Sequence, residues 1–498
     1  MKNHVEIQVE KEDNLTKGAR GGAVAFFLKT ISTGLAFLNQ IILARILGAG
    51  GIGEVLLAVS VVKVIGLIGK FGMEEAMMRM VPSYLEKKDD ARLRGAISFA
   101  LRFCLMMSII LGIAVWSASK LLAINMFHSE GLSRLLPFAA VAIPFSVMYE
   151  VIGGILKGFK ETLRALLPQF IISLFIRIVI FLYLSIKISD PLYAIYAFIA
   201  GEILALILAI AFLRNKTREI KTANSNSEYK KIINIAYTMI FTGFSVYLFT
   251  QADLWIVGML TSTEEVGIYG VAAKLVTLIA FPLGALSAII PPMISSMHTS
   301  GDLDELRKVV RGSARWTFSI AMPIILVLVL EGDIILKYVF GEKFVYGYAA
   351  MLILSIGQVI NTGSGLVGYF LQMTGGHKVY MKITILFSII NVILNFLLVP
   401  RFGINGAALS TAFCLAMINI VSVFVVYHRS SVLTLARGLG FDAIFCFVVT
   451  LLYVFCRYNS LVAGYHILLA VSLTVYIGKS LVKNDIPWRL ILSKYMSG

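Results

Sequence analysis

Runs of about twenty apolar residues, separated by short polar segments, fill almost the whole length of this 498-residue chain, and no other feature limits its fold as severely. That length is what an α-helix needs to cross hydrocarbon, where every backbone N–H and C=O must be satisfied within the segment. Fourteen such segments are counted, starting near residues 21, 52, 96, 135, 166, 192, 233, 267, 314, 348, 380, 405, 440 and 461. With 58% hydrophobic residues, 14% charged residues and a mean hydropathy of +0.87, the chain reads as an all-α polytopic membrane protein. A net charge of +16 would suggest nucleic acid in a soluble protein. Here the Lys and Arg residues gather between apolar runs, so no nucleic-acid partner is expected and membrane lipids are.

An even number of spans puts both termini on one side. If that side is the cytoplasm, inside segments hold 30 Lys and Arg against 8 outside, with six of the 44 inside spans. This bias predicts a multi-pass protein of the cytoplasmic membrane with both termini cytoplasmic. The first twenty residues have no apolar core, so no cleavable signal is expected, and the Asn14-Leu15-Thr16 sequon should face the cytoplasm. The expected organisation is a tail at 1–20, a first lobe at 21–213, a polar linker at 214–231, a second lobe at 232–428, and two further helices with a cytoplasmic tail at 429–498.

The two lobes repeat one another. Ile52-Gly53-Glu54-Val55 aligns with Val266-Gly267-Ile268-Tyr269, Leu93-Arg94 with Leu306-Arg307, and Met126-Phe127 with Val339-Phe340, at offsets of 214, 213 and 213 residues. Three unrelated anchors at nearly one offset indicate a duplicated six-helix unit. Six spans is even, so both copies enter the membrane in the same direction, an arrangement that places a transported substrate between them.

Charged residues inside spans are costly and are therefore functional candidates. Lys29, Thr33, Ala36 and Gln40 share one face of the first segment; Ser60, Lys63, Gly66 and Lys70 share one face of the second. Thr384, Ser388, Asn391 and Asn395 form a third stripe, readable either as pathway lining or as polar contacts between helices. Within Gln251–Lys274, a short loop separates Asp253 from Lys274. Lys29, Lys63, Lys70, Arg102, Arg177 and Lys274 outnumber Glu150, Glu202 and Asp253, which favours an anionic cargo. Arg102 could also sit at the headgroups and Arg177 could pair with Glu202. Asp253, Glu150 and Glu202 are candidates for coupling to H⁺ or Na⁺, or for charge pairing.

Other patterns dissolve in context. Gly48-x-Gly50-x-x-Gly53 spells a dinucleotide fingerprint but joins two spans, so it is expected to be a tight turn. Gly478-Lys479-Ser480 lacks the upstream glycine of a phosphate-binding loop. Asp302-Leu303-Asp304 reads as a helix start. The scattered histidines, and Cys104, Cys414, Cys446 and Cys456 inside apolar runs, suggest no metal site, no cofactor, no disulfide framework and no catalytic site.

ILARILGAGGIGEVLLA, QADLWIVGMLTSTEEVGIYGVAAKL, YVFGEKFVYGYAAMLIL and FGINGAALSTAF resemble the polysaccharide biosynthesis flippase family, the Wzx-like branch of the multidrug/oligosaccharidyl-lipid/polysaccharide (MOP) exporter superfamily. The resemblance implies a fourteen-helix, MATE-like bundle: two six-helix lobes around a central cavity, plus two trailing helices. It also implies flipping of polyprenyl-pyrophosphate-linked oligosaccharides by alternating access. Lys29, Asp253, Lys274 and Arg177 match charged positions that the family turns toward its cavity. Asn391, Asn395, Gln358, Asn361 and Gln372 could meet sugar hydroxyls. A monomer would suffice, with polysaccharide assembly proteins as candidate partners. The competing readings are a multidrug antiporter, a lipid II flippase of the same fold, and a polytopic glycosyltransferase or polymerase.

Overall fold

Long runs of Leu, Ile, Val, Phe and Ala leave the backbone no partner but itself, and in the computed structural model they form helices. The structure describes residues 2–218, 228–287, 290–430 and 432–436, with single positions between 445 and 476. In chain order the helices are α1 (Lys2–Lys70), α2 (Met73–Glu86), α3 (Asp90–Leu121), α4 (Glu130–Gly158), α5 (Thr162–Leu167), α6 (Ser173–Leu184), α7 (Pro191–Thr217) and α8 (Tyr229–Leu260). They continue as α9 (Thr263–Val276), α10 (Phe281–Leu286), α11 (Ile290–Ser300), α12 (Leu303–Ile335), α13 (Tyr348–Gly363), α14 (Val367–Met373), α15 (His377–Phe402) and α16 (Ile404–Ser430). Among the described residues no strand occurs.

Nine segments among the described residues are long and apolar enough to cross a membrane. The first, Phe27–Lys70, holds two expected spans, because α1 is broken at Gly48 (φ 68°, ψ −177°). The glycine-rich sequence there is thus a turn between helices. Along α3, Met106 (55% exposed), Ile110 (53%) and Ile113 (61%) face outward, as bilayer-facing side chains do. The segments expected from 440 and 461 lie outside the described residues, apart from single positions.

Two expectations need correcting. The span expected from 267 is interrupted: α9 stops at Val276, residues 277–280 are turns, and α10 begins at Phe281. Pro282 supplies the reason, since it lacks an N–H and forces the chain to tighten ahead of it. The N–H groups of Leu278, Ile279 and Ala280 each reach back only three residues, to Leu275, Val276 and Thr277. Secondly, the stretch between the segments expected from 52 and 96, for which no helix was predicted, contains α2, which buries Met73, Ala76, Met77, Met80, Val81 and Tyr84.

The chain forms two compact units, Met1–Val271 with Val399–Ile404, and Ala272–Leu398 with Asn405–Gly498. The division falls inside α9, whereas the sequence suggested the 214–231 linker, of which 219–227 lie outside the described residues. α8 packs on α1, α2 and α3, which draws it into the first unit.

The repeat is visible in local structure. Asp89 and Asp302, 213 residues apart, each cap a helix, accepting from the N–H of Arg92 and Glu305 respectively, both at 3.0 Å. Those helices, α3 and α12, end in π-helical turns at Leu122–Met126 and Leu336–Phe340, now 214 apart. Within the first unit, α1 and the start of α9 cross so closely that neither Gly53 nor Gly267 has room for a Cβ. Gly53 faces the carbonyl of Thr263, and Gly267 that of Ala49, so the contact repeats at an offset of 214.

Candidate functional site

The second half of α1 carries Lys63 and Lys70 two turns apart, about 10 Å along the axis. Lys70 is held by two acids, Glu74 of α2 at 2.7 Å and Glu150 of α4 at 3.0 Å. Glu74 also binds Lys157 of α4 at 2.8 Å. Burial pushes the Glu74 carboxyl up, but Lys70 and Lys157 outweigh it and hold the group below the usual carboxylate range. Glu75 adds a second carboxylate acting on Lys70. Deeper in the helices, Arg177 of α6 is ion-paired with Glu202 of α7 and stacks on Phe198, 4.3 Å from the ring centre. Gly201 makes that pair feasible: a Cβ there would lie 2.9 Å from Arg177 Cγ. Lys63, exposed, acts electrostatically on both Glu150 and Glu202 and so links the two groups.

The result is one cluster in the first unit, with Lys63, Lys70, Lys157 and Arg177 facing Glu74, Glu75, Glu150 and Glu202. Four cations meet four carboxylates, so this cluster is balanced rather than net positive. The sequence count of span charges missed Glu74, Glu75 and Lys157. The signal that could have found the two acids is the helical spacing of Met73, Met77 and Met80 in MEEAMMRMVPSYLE, which marks an amphipathic helix. The balance is incomplete in hydrogen bonds. Glu202 is 1% exposed, yet its Oε2 has no partner among the described residues, and neither have Arg177 Nε and Ser173 Oγ beside it.

A second polar group lies nearby in the sequence of the same unit. Asp253 accepts a hydrogen bond from the Tyr269 hydroxyl. Two residues on, the Trp255 indole donates to Ser60 Oγ at 2.8 Å, and the Tyr247 hydroxyl of the same helix donates to the Ser60 carbonyl at 3.0 Å. Trp255 and Tyr247 were not singled out by sequence. Gln40 is buried, whereas Lys29 and Arg102 stand exposed on α1 and α3.

Lys274 belongs to the other unit, at the last turn of α9, where its carbonyl accepts from the N–H and the hydroxyl of Thr277 as the helix breaks. Asn391 and Asn395, fully buried, are engaged within the helices. Asn391 donates to Thr411 of α16 at 3.1 Å, and Asn395 donates to the Asn391 carbonyl at 2.9 Å. Asn361 donates to Gln358, and Asn419 of α16 donates to Asn361 at 3.1 Å. The Asn391–Thr411 and Asn419–Asn361 bonds join helices, the Asn395–Asn391 and Asn361–Gln358 bonds stay within one, and the exposed Gln372 bonds its own helix. Cys104 and Cys414 are buried free thiols, and Cys446 and Cys456 lie outside the described residues. No group of three or more His, Cys, Asp or Glu side chains suited to a metal occurs among the described residues.

Long apolar helices that carry an ionised cluster define a multi-pass α-helical membrane protein, and its fold is that of solved MOP transporters. It is similar to the lipid II flippase MurJ in an inward closed conformation, with a TM-score of 0.71 at 16% identity over 93% of this chain and 99% of that one. It is also similar to an inward-facing multidrug resistance MATE transporter of the MOP superfamily, with a TM-score of 0.65 at 15% identity over 81% and 95%. A probable low-salt glycan biosynthesis flippase of Haloferax volcanii, Agl15, is 23% identical over 406 residues, 80% of this chain and 81% of that protein. A probable flippase of the same organism, AglR, is 28% identical over 177 residues, 35% of this chain and 37% of that protein. The sequence model of the family described as "Polysaccharide biosynthesis protein" matches residues 42–347, and the chain belongs to that family.

Proposed function

We propose that this protein flips a polyprenyl-pyrophosphate-linked oligosaccharide across the cytoplasmic membrane by alternating access, for cell-surface polysaccharide biosynthesis. Both termini are cytoplasmic in this reading, and the protein acts as a transporter with no chemical step. The observation that carries it is the ionised cluster of Lys63, Lys70, Arg177 and their acids within the apolar helices of a polysaccharide biosynthesis family member. A diphosphate cannot cross hydrocarbon unaided, and cations held in place by protein can take over its solvation while the lipid tail stays in the bilayer. The break after Lys274 supports the reading as well, because interrupted membrane helices expose backbone groups where polar cargo is handled. Lys29 and Lys274 are assigned to the pathway, and Asp253 to coupling with H⁺ or Na⁺.

The test is flipping of a labelled polyprenyl-pyrophosphate oligosaccharide in proteoliposomes, with reconstituted protein matched between samples. Wild type should expose the sugar on the far side, and Lys29→Ala and Lys274→Ala should slow this at least tenfold. Asp253→Asn should remove the response to an ion gradient. If wild type leaves the lipid in place while expelling cationic dyes against such a gradient, the protein is a drug antiporter and the proposal fails.

A further inference from the structure

We infer that Lys63, Lys70 and Arg177 form a diphosphate site in which Glu150 and Glu202 serve as internal counter-ions, exchanged for the substrate with uptake of protons. The inference rests on the lipid-diphosphate reading above. Its starting point is that the cations best placed for an anionic headgroup are already occupied: Lys70 by Glu150 at 3.0 Å and by Glu74, and Arg177 by Glu202. A diphosphate arriving at these cations meets carboxylates of its own sign, and both cannot remain charged in a site shielded from water.

The acids of the cluster are not held alike. Glu74 bridges Lys70 and Lys157 and is held twice over. Glu202 is almost wholly buried, is held on one oxygen by Arg177, and leaves its second oxygen without a partner among the described residues. Arg177 Nε likewise has hydrogen-bonding capacity to spare, so the site can accept another oxygen donor or acceptor. The groups facing Glu202 are Arg177 on α6, Tyr149 and Glu150 on α4, and Lys63 on α1. Those facing Glu150 are Lys70 and Lys63 on α1 and Glu74 on α2, while α3 contributes Cys104 against the Lys70 carbonyl. Lys63, exposed and acting on both carboxylates, is where an entering anion first meets the cluster.

Charge arithmetic makes the exchange consistent. A diphosphate diester carries two negative charges across the neutral range. Glu150 and Glu202 together carry two, so protonating both as the lipid binds leaves the cluster at its original balance. The protons come from water on the open side and return to it when the lipid leaves.

The experiment is calorimetric binding of geranyl-pyrophosphoryl-N-acetylglucosamine to the purified full-length protein at pH 7, repeated in buffers of different ionisation enthalpy. This diester has no proton of its own to exchange there, so the buffer dependence counts protons taken up by the protein. Wild type should take up between one and two protons, and its affinity should fall about tenfold per pH unit for each. Glu150→Gln and Glu202→Gln should each lower the uptake by about one and bind more tightly than wild type above pH 7. The wild-type count needs no variant, so a variant that fails to fold leaves the test intact. Flipping in vesicles combined with binding that takes up no protons, or with no binding of this probe, overturns the exchange and leaves the flippase reading standing. Failure of both binding and flipping removes the two together.

Discussion

Glu202 shows how little separates a stabilising residue from a liability inside a membrane protein. Paired with Arg177 it is tolerated, but neither partner tolerates the loss of the other, because a buried charge without its counter-ion costs about 3–5 kcal/mol. Arg177→Ala should therefore lower thermal stability in detergent sharply, as read by fluorescence-detected unfolding. Arg177→Met combined with Glu202→Leu should restore most of it, since well-packed apolar replacements of a buried pair are often neutral. A double variant as unstable as Arg177→Ala would show that packing of the guanidinium on Phe198, not charge, carries the effect. Asp253 poses a milder case. Tyr269→Phe removes a hydrogen bond to a buried carboxylate, and a loss of about 1–3 kcal/mol is expected by the same assay.

At the scale of elements, the crossing of α1 and α9 sets a stricter limit than any charge. Gly53 and Gly267 each face a backbone carbonyl that cannot swing aside as a side chain would. Gly53→Val or Gly267→Val should abolish the folded monodisperse peak in size-exclusion chromatography. Gly34→Ala, in the same helix but with nothing within 4 Å of a Cβ, should be neutral or stabilise by up to about 1 kcal/mol. Equal tolerance at Gly53 and Gly34 would contradict the close crossing. Much of this level was legible beforehand. The repeat announced itself through Gly53 and Gly267, the Asp302 cap through its position before a helical run, and the Gly48 turn through its glycines. What stayed hidden depended on three dimensions. Counting apolar spans passed over α2, so Glu74 and Glu75 were missing from the charge count, and the cluster around Lys70 and Arg177 is balanced where that count had an excess of cations. The break at residues 277–280 was masked by its own apolarity, since Leu278, Ile279 and Ala280 look no different in a helix or a turn. Asn391 and Asn395 had two readings at the outset, and only the position of Thr411 on α16 gives Asn391 its partner across helices, while Asn395 bonds back to Asn391.

For the whole molecule, the distribution of Lys and Arg makes a directional claim that fold alone does not. A bundle of apolar helices is satisfied in either orientation by the hydrocarbon; what distinguishes the two is the excess of basic residues in alternate loops, read during insertion. In the proposed orientation the turn after α2, with exposed Lys87 and Lys88, faces the cytoplasm, whereas Lys187 after α6 and Glu342 after α12 face outward. All three positions are exposed, so a single cysteine at any of them should react with a membrane-impermeant maleimide whenever the reagent can reach that side. In a background lacking the four native cysteines, intact cells should label Lys187→Cys and Glu342→Cys, and Lys87→Cys should label only after lysis. Because α3, α4 and the α5–α6 segment contribute three crossings between Lys87 and Lys187, an error of one span would make those two positions agree, and an inverted protein would exchange all three results. Inversion would reverse the side from which the anionic headgroup is loaded, since Lys70, sixteen residues before Glu86, precedes the same connection as the Lys87 turn. Labelling as expected would place the Lys70 end of the cluster at the cytoplasmic side, where lipid-linked sugars assembled in the cytoplasm would first meet it.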